Sequence, residues 1–142
     1  MREDPILLDP RTKDLGARLI INLEKLNLSL KKLELTSSNV DAYYEHSHNL
    51  GIPPIETQKL QNKIFGIECN FDKLNAIDFK KGCYVGQENT ARINLKNKLN
   101  KRLFAIKIIE GIIEKNEIIT IGDKEIGKLL INDRYPFAVF NI

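Results

Sequence analysis

The most informative stretch of this chain runs Lys81-Gly82-Cys83-Tyr84-Val85-Gly86-Gln87-Glu88 and continues to Arg92. It brings a thiol, an acid, an amide, cations and two glycines close together in sequence. The apolar residues Ile77 and Phe79 precede it, and a helix-compatible stretch from Tyr84 to about Leu95 covers its second half. Few purely structural segments need this mixture of side chains, which makes the stretch the first candidate for a functional site.

A helix that begins at or just after Cys83 would point its free amide groups at the thiol. The helix dipole and these N–H groups favour thiolate, and so lower the pKa of a cysteine at that position. Lys80 and Lys81 add positive potential nearby. Gly86 in the first turn costs about 1 kcal/mol of helix propensity relative to Ala, a cost that the close approach of a flat ligand would explain.

Helical spacing sorts the polar side chains of this stretch into two sets. Cys83 and Gln87 are four residues apart. The same spacing relates Tyr84, Glu88 and Arg92, so each set shares one helix face. An ion pair between Glu88 and Arg92 would hold the carboxylate in one orientation. A fixed carboxylate beside an amide suits the N–H-rich edge of a pterin, because the acid accepts from two adjacent donors.

A structural interpretation fits the same residues. The two glycines would then reflect tight helix packing, and Glu88 with Arg92 would be a surface pair worth at most about 0.5 kcal/mol. Cys83 would be a small buried hydrophobe, and Tyr84 an aromatic side chain facing the core. From the pattern alone the two interpretations are evenly matched.

The composition bounds the class of protein. With 142 residues and 16.3 kDa, the chain has room for one sizeable domain or a small domain plus an appendage. The net charge is +3. A basic cluster at 96–102 could meet phosphates or a polyglutamate tail, but it fits a solvated connector better than a nucleic-acid-binding face.

The two cysteines indicate a reducing compartment. Cys69 and Cys83 do not make a disulfide framework and lack the close spacing of a zinc knuckle, so no metal site is expected. Cys69 is expected to pack in the core or a loop. The N-terminus has no apolar signal core, and no apolar run is long enough to cross a bilayer. The sequence therefore predicts a cytoplasmic chain without membrane association.

Apolar periodicity and turn residues divide the chain into an α+β part up to about residue 98 and an all-β part after it. The elements predicted in the first part are strands at 6–8 and 17–22, a short helix from 23 followed by a strand at 32–36, a helix at 40–50 capped by Ser38 or Asn39, and a helical piece at 58–64. The β runs predicted in the second part are 103–109, 117–121 and 125–131, with Gly122-Asp123 as a hairpin signal.

The cysteine motif also carries a resemblance. Residues 81–88 with Arg92 match every fixed position of the signature Lys-Gly-Cys-[Phe/Tyr]-x-Gly-Gln-Glu…Arg. Through it the chain resembles the YgfZ-type folate-binding proteins, which are relatives of the aminomethyltransferase (T-protein) of glycine cleavage. The similarity extends to Asp9-Pro10-Arg11 with Leu15-Gly16 and Arg18, to Tyr44 with Gly51-Ile52-Pro53, to the segment from Asn70 to Phe79, to Lys101-Arg102-Leu103 and to the hairpin from Gly122 to Lys128.

This resemblance implies an α+β fold. Residues 1–98 would form part of a ferredoxin-like or T-protein-like folate-binding domain, and residues 99–142 would supply strands of a small C-terminal β-barrel. Family members are considerably longer, with an N-terminal α/β region that supplies much of the folate pocket, so the chain resembles a fragment. A sheet edge exposed at 6–8 or 17–22 would then pair with a second copy, giving a homodimer.

The resemblance further implies that the chain binds tetrahydrofolate and supports assembly or repair of iron–sulfur enzymes, including tRNA-modifying ones, without binding nucleic acid itself. In a eukaryote, such a protein would act in the mitochondrial matrix. Cys83 would be the reactive or redox-sensing thiol, in the position of a catalytic residue. The residues implied in cofactor binding are Tyr84, Gln87, Glu88, Arg92 and Arg18.

Two alternatives remain beside this function. One is a folate-dependent aminomethyltransferase or other one-carbon transferase, against which Cys83 argues, because the transferase relatives typically carry no thiol there. The other is a scaffold that docks an iron–sulfur partner through the basic segment 96–102. Whether the chain is an enzyme stays open. It also departs from the family pattern at Ser47, Asn97 and Ile131, where an Arg, a Gly and a Ser-type residue are usual.

Other polar residues have simpler interpretations. Asp9 and Arg11 fit a turn with a surface arginine, whereas Arg18 fits a buried ion pair and a ligand contact equally well. His46 and His48 face different ways on their predicted helix, which favours a solvated face over metal binding.

Overall fold

The computed structural model describes residues 6–82, 90–93, 99–112, 114 and 117–142. These residues form a mixed α and β structure with two antiparallel sheets, one of two strands and one of four. Short helical segments and a long irregular segment connect the sheets. The predicted α+β character is therefore confirmed, while the domain boundary at 98/99 stays a prediction.

The first sheet is a hairpin of β1 (Ile6–Leu8) and β2 (Ala17–Leu19), which pair in antiparallel register with Leu7 opposite Arg18. The predicted strand at 6–8 is confirmed, and the second strand is shorter than predicted. The loop between the strands contains a 3-10 turn at Lys13–Leu15. It closes through Gly16, whose φ of 81° favours glycine.

The region after the hairpin is helical where a strand was predicted. A 3-10 turn at Leu23–Lys25 leads into α1 (Leu26–Lys32), but no strand follows at 32–36. The backbone N–H of Leu35 instead donates to the carbonyl of Leu30 at 2.9 Å, with Glu34 in the left-handed region. This bond closes the C-terminal turn of the helix, so the alternating leucines belong to a helix end and not to a strand.

The next helix begins and ends as predicted. In α2 (Val40–Asn49) the side chain of Asn39 accepts a 2.9 Å hydrogen bond from the N–H of Ala42 and so caps the first turn. Gly51, with a φ of 73°, ends the helix. The helical piece expected at 58–64 is shorter, a 3-10 turn at Thr57–Leu60.

The second sheet comprises four strands in the order β3-β6-β5-β4. Their bounds are β3 (Lys101–Ala105), β4 (Ile118–Ile121), β5 (Lys124–Ile131) and β6 (Phe137–Asn141). The predicted Gly122-Asp123 hairpin joins β4 to β5, whereas β6 was not predicted. Within the described residues the sheet is open, with no closed barrel.

The core lies under this second sheet. Leu103, Leu130, Ile131, Phe137 and Val139 form its buried cluster, and side chains from the segment before β3 pack on it. By contrast, the first third of the chain exposes large apolar side chains by 37 to 82% of their surface. Those residues are Ile6, Leu7, Leu8, Ile20, Leu23, Leu26, Leu28, Leu33, Leu35 and Val40. None of the described helices is both long and apolar enough to span a bilayer.

Candidate functional site

Most of the cysteine motif falls outside the part of the chain that the structure describes. Cys83, Tyr84, Gln87 and Glu88 belong to this undescribed stretch, so their predicted roles stay predictions. Residues 90–93 are helical, as the pattern predicted, and Arg92 is exposed on this helical stretch. Its pairing with Glu88 and its contact with a cofactor stay predictions as well.

A cleft lies beside this helical stretch. Ile93, next to Arg92 in sequence, lines a cavity of about 840 Å³ that also touches the second sheet and the segment before it. Its apolar wall includes Leu130 and Val139. Three lysines line it from three separate parts of the chain, Lys63, Lys101 and Lys128, together with the acids Glu68 and Glu125. The volume and the mixed apolar and charged lining fit a small ligand with an apolar body and polar ends.

A second polar cluster forms where the hairpin loop begins. The side chain of Asp9 is only 4% exposed and lies between two arginines. It accepts hydrogen bonds from the backbone N–H of Arg11 at 3.0 Å and from its Nε and Nη2 atoms at 3.0 and 2.9 Å. Arg18 adds a bond from Nε at 2.8 Å and an Nη2 contact of 2.8 Å. The predicted Asx-type turn is therefore present, but Arg11 is ion-paired and not a free surface arginine.

The two arginines shift the pKa of Asp9 well below its usual range. The hydrogen bonds from the Arg11 side chain contribute most to this shift, and those from Arg18 add to it, against the opposing effect of burial. Asp9 in turn holds the pKa of Arg11 above its ordinary value. Two cations share one carboxylate, so the cluster carries a net positive charge. Of the two alternatives for Arg18, the ion pair is present, but the side chain is 51% exposed and not buried, which leaves it able to contact a ligand.

Helix α2 holds the hairpin loop in place. The hydroxyl of Tyr43 accepts a 2.9 Å bond from Nη2 of Arg11. His46 donates from Nε2 to the carbonyl of Asp14 at 2.6 Å. On the other side of the helix, His48 donates to the carbonyl of Pro136 at 3.0 Å. The two histidines point in different directions, as expected. His46 is exposed, which agrees with the predicted solvated face, whereas His48 is partly buried, and both bind protein carbonyls.

The segment that leads toward the cysteine motif is fixed to the edge of the second sheet. Arg102 on β3 binds both carboxylate oxygens of Asp72, at 3.0 and 2.8 Å, and the amide oxygen of Asn70 at 2.8 Å. Asn70 also donates to the carbonyl of Leu103, whose N–H donates to the carbonyl of Glu68. This cluster covers the free edge of β3. Sequence reasoning missed the pairing, although both partner segments belonged to the family resemblance.

Cys69 is buried, as predicted. Burial raises the pKa of its thiol to about 11, and the neighbouring Glu68 adds to the shift. A thiol with such a pKa is almost entirely protonated at neutral pH, which makes Cys69 a poor nucleophile there. Among the residues that the structure describes, no three His, Cys, Asp or Glu side chains are grouped to hold a metal ion.

Comparison with known proteins gives three informative relatives. The mitochondrial iron–sulfur cluster assembly factor IBA57 homolog of Dictyostelium discoideum is 33% identical over 141 residues, which is 96% of this chain and 34% of the relative. The tRNA-modifying protein YgfZ of Buchnera aphidicola is 42% identical over 59% of this chain and 27% of its own. Human IBA57, also named as a mitochondrial iron–sulfur cluster assembly factor, is 28% identical over 87% of this chain and 35% of its own.

No protein-family model matches the chain. The chain spans about a third or less of the length of these three curated relatives. The matches to IBA57 and YgfZ nevertheless agree with the family resemblance carried by the sequence motif. The chain belongs to the YgfZ/GcvT-like family, of which it represents a partial, C-terminal region.

Proposed function

We propose that this chain serves the assembly or repair of iron–sulfur enzymes. The observation that carries the proposal is the 33% identity, over 96% of the chain, to a relative named as an iron–sulfur cluster assembly factor. The YgfZ relative is named as a tRNA-modifying protein, which is consistent with tRNA-modifying enzymes among the clients. The mitochondrial names of the eukaryotic relatives fit a matrix location for a eukaryotic member.

Tetrahydrofolate is the cofactor that we assign to this function. The cleft of about 840 Å³ supports the assignment, because Ile93, the residue after Arg92, lines it and three lysines are among its lining residues. Tyr84, Gln87 and Glu88 would contact the ligand, and Arg92 would orient the carboxylate of Glu88. Arg18 retains an exposed guanidinium that can meet an anionic part of the ligand. These contacts are part of the proposal.

Cys83 is the reactive group in this proposal. The high pKa of Cys69 supports the assignment indirectly, because it removes the other thiol as a nucleophile near neutral pH. The fold that we propose around Cys83 is the T-protein-like domain, with the second sheet supplying strands of its C-terminal barrel.

A folate-dependent aminomethyltransferase is the alternative. It shares the folate site, and the presence of a thiol at position 83 argues against it. Transfer of a one-carbon unit from an aminomethyl donor to tetrahydrofolate, measured with the purified protein, would favour this alternative. The scaffold hypothesis instead requires that binding of an iron–sulfur partner survive loss of Cys83 but not removal of charge at 96–102.

The homodimer belongs to the same proposal. The hairpin strands β1 and β2 pair only with each other among the described residues, and the apolar side chains of β1 are exposed. A two-stranded hairpin is marginal in water unless a further strand or helix packs on it, so a second copy would stabilise it. Sedimentation of a strictly monomeric, folded chain would contradict the homodimer.

The deciding experiment is performed in cells. A protein carrying Cys83→Ala replaces the wild type, and the activity of an iron–sulfur enzyme is measured. We expect this activity to fall to the level of cells without the protein, whereas the matched Cys69→Ala variant keeps it. If Cys83→Ala retains full activity, the thiol role is wrong. Separately, the absence of any thermal shift on adding tetrahydrofolate to the protein carrying its complete pocket would eliminate both folate hypotheses.

A further inference from the structure

A second cavity shares the lining residue Ile64 with the first cleft. It has a volume of about 540 Å³ and is lined by the segment from Ile52 to Leu74 together with Arg11. Of its lining residues only Ile64 also lines the larger cleft, and none belongs to the cysteine motif. Its volume falls within the range of about 300–1,000 Å³ typical of small-molecule sites. The folate proposal leaves this cavity without a role.

Most of the cavity wall is apolar. Ile52 is almost completely buried, and Leu60 and Ile64 pack on the core cluster beneath the second sheet. The ring of Phe71 lies against Gly66, where an added Cβ would come within 2.9 Å of its Cδ2 atom. Because this ring is still 43% exposed, it offers an aromatic surface against which a second ring can stack.

Arg11 supplies the single charge among the described lining residues. Its guanidinium is fixed on one side by Asp9 through Nε and Nη2, and Nη2 also donates to the hydroxyl of Tyr43. Arg18 shares the same carboxylate, so the positive charge at Arg11 is not fully compensated. The remaining polar lining, at Thr57, Gln58 and Gln61, is neutral.

A fixed cation beside an apolar, aromatic cavity has a definite chemical complement. The bonds to Asp9 and Tyr43 use Nε and Nη2 of Arg11, so Nη1 is the atom that would donate hydrogen bonds to a ligand carboxylate, and the wall favours an apolar ring. A neutral ligand would lose the charge interaction, and an aliphatic acid would lose the stacking on Phe71. We infer that this cavity is a second ligand site that binds an aromatic carboxylate, with Arg11 holding the carboxylate and Phe71 the ring.

The test uses 2-naphthoate and its neutral counterpart 2-naphthamide with the full chain. The chain contains no tryptophan, so naphthalene fluorescence anisotropy reports binding directly. We expect naphthoate to bind at least about tenfold more tightly than naphthamide, the effect of one charge-assisted hydrogen-bond pair. Arg11→Met should remove this preference. Thr57→Phe, which places a ring in the cavity mouth without touching Asp9, should weaken both ligands together.

Arg18→Met is the matched control, because it removes the other arginine on Asp9 but not a residue that lines the cavity. It should keep the preference for naphthoate. Equal binding of the two ligands by the wild type would overturn the inference, and so would equal loss of preference in both arginine variants. Should circular dichroism show that Arg11→Met is unfolded, two results decide the matter: the wild-type preference for naphthoate, and the weaker binding of both ligands by Thr57→Phe.

Discussion

Arg102 on β3 and Asp72 in the irregular segment form a bidentate ion pair, in which the two N···O distances are 3.0 and 2.8 Å. The exposed fraction of the side chain is 15% for Arg102 and 21% for Asp72. The pair lowers the pKa of Asp72, mainly through the hydrogen bonds from Arg102. It fixes the segment around Asp72 to the strand that carries the core residue Leu103.

Arg102→Lys should loosen this attachment. Lysine keeps the charge but lacks the planar fork that reaches both oxygens of Asp72 and also Asn70. We expect a loss of about 1–2 kcal/mol in the free energy of unfolding, measured by urea denaturation. Arg134→Lys is the control, because its pair with Asp41 is exposed and its replacement should leave the urea midpoint unchanged. Equal midpoints for the wild type and Arg102→Lys would contradict a structural role for the fork.

Asp9 should make the stability of the hairpin region depend on pH. Its folded-state pKa is depressed, first by the hydrogen bonds from the Arg11 side chain, so its contribution is fully present above the unfolded value of about 3.9. The contribution is lost as the pH falls below that value toward the folded pKa. Asp9→Asn should therefore be less stable than the wild type at pH 7 and lose less stability between pH 5 and pH 3, as thermal unfolding would measure. Parallel pH profiles for the two proteins would contradict this prediction.

Cys69 should react slowly with thiol reagents. With a pKa of about 11 against an ordinary 9.0, its thiolate fraction at pH 8 is lower by about a hundredfold. In the Cys83→Ala variant, which leaves Cys69 as the one cysteine, iodoacetamide labelling followed by mass spectrometry should be slower than for free cysteine by at least that factor. Labelling at the rate of free cysteine in the folded protein would show that Cys69 is accessible and ionised.

Gly127→Ala should destabilise the second sheet. Gly127 lies opposite Phe140 on β6, and an added Cβ would come within 2.5 Å of the Val139 carbonyl oxygen and 2.8 Å of a Phe140 ring atom. Because the first neighbour is backbone, the strands must separate, at a cost of about 1–3 kcal/mol in the free energy of unfolding. Gly82→Ala is the control, because no atom of the residues that the structure describes lies within 4 Å of its added Cβ, and it should unfold at the wild-type denaturant concentration. A Gly127→Ala protein as stable as that control would exclude the close approach.

Local signals predicted the elements whose ends are set by their own residues. Asn39 caps α2 and Gly51 ends it, and Gly122-Asp123 turns between β4 and β5, because each residue acts within a few positions of itself. The strand predicted at 32–36 failed, since leucines in alternation also fit the end of a helix. Strand β6 was missed although Phe137 to Phe140 is a short, continuous apolar run, the pattern of a fully buried strand.

The sequence predicted the helix of the candidate site, but not which charged side chains pair with one another. The spacing at residues 81–92 predicted a helix, and 90–93 is helical. The sharing of Asp9 between Arg11 and Arg18 follows from the hairpin register, and the pairing of Asp72 with Arg102 joins residues far apart in sequence. Neither pairing produces a periodic pattern in the sequence from which it could be predicted. Both depend on how distant segments pack, which a single sequence does not specify.

The contrast between the exposed first third of the chain and the compact core under the second sheet has a kinetic consequence. Backbone amides of β1 and α1 have no buried layer over them, so they should open without unfolding the rest of the molecule. A protease added to the native protein would first cut before Asn39 and leave a folded fragment that contains the four-stranded sheet. A ligand or partner that covers Ile6 to Leu35 would slow that cleavage, so the cutting rate reports when this surface becomes occupied.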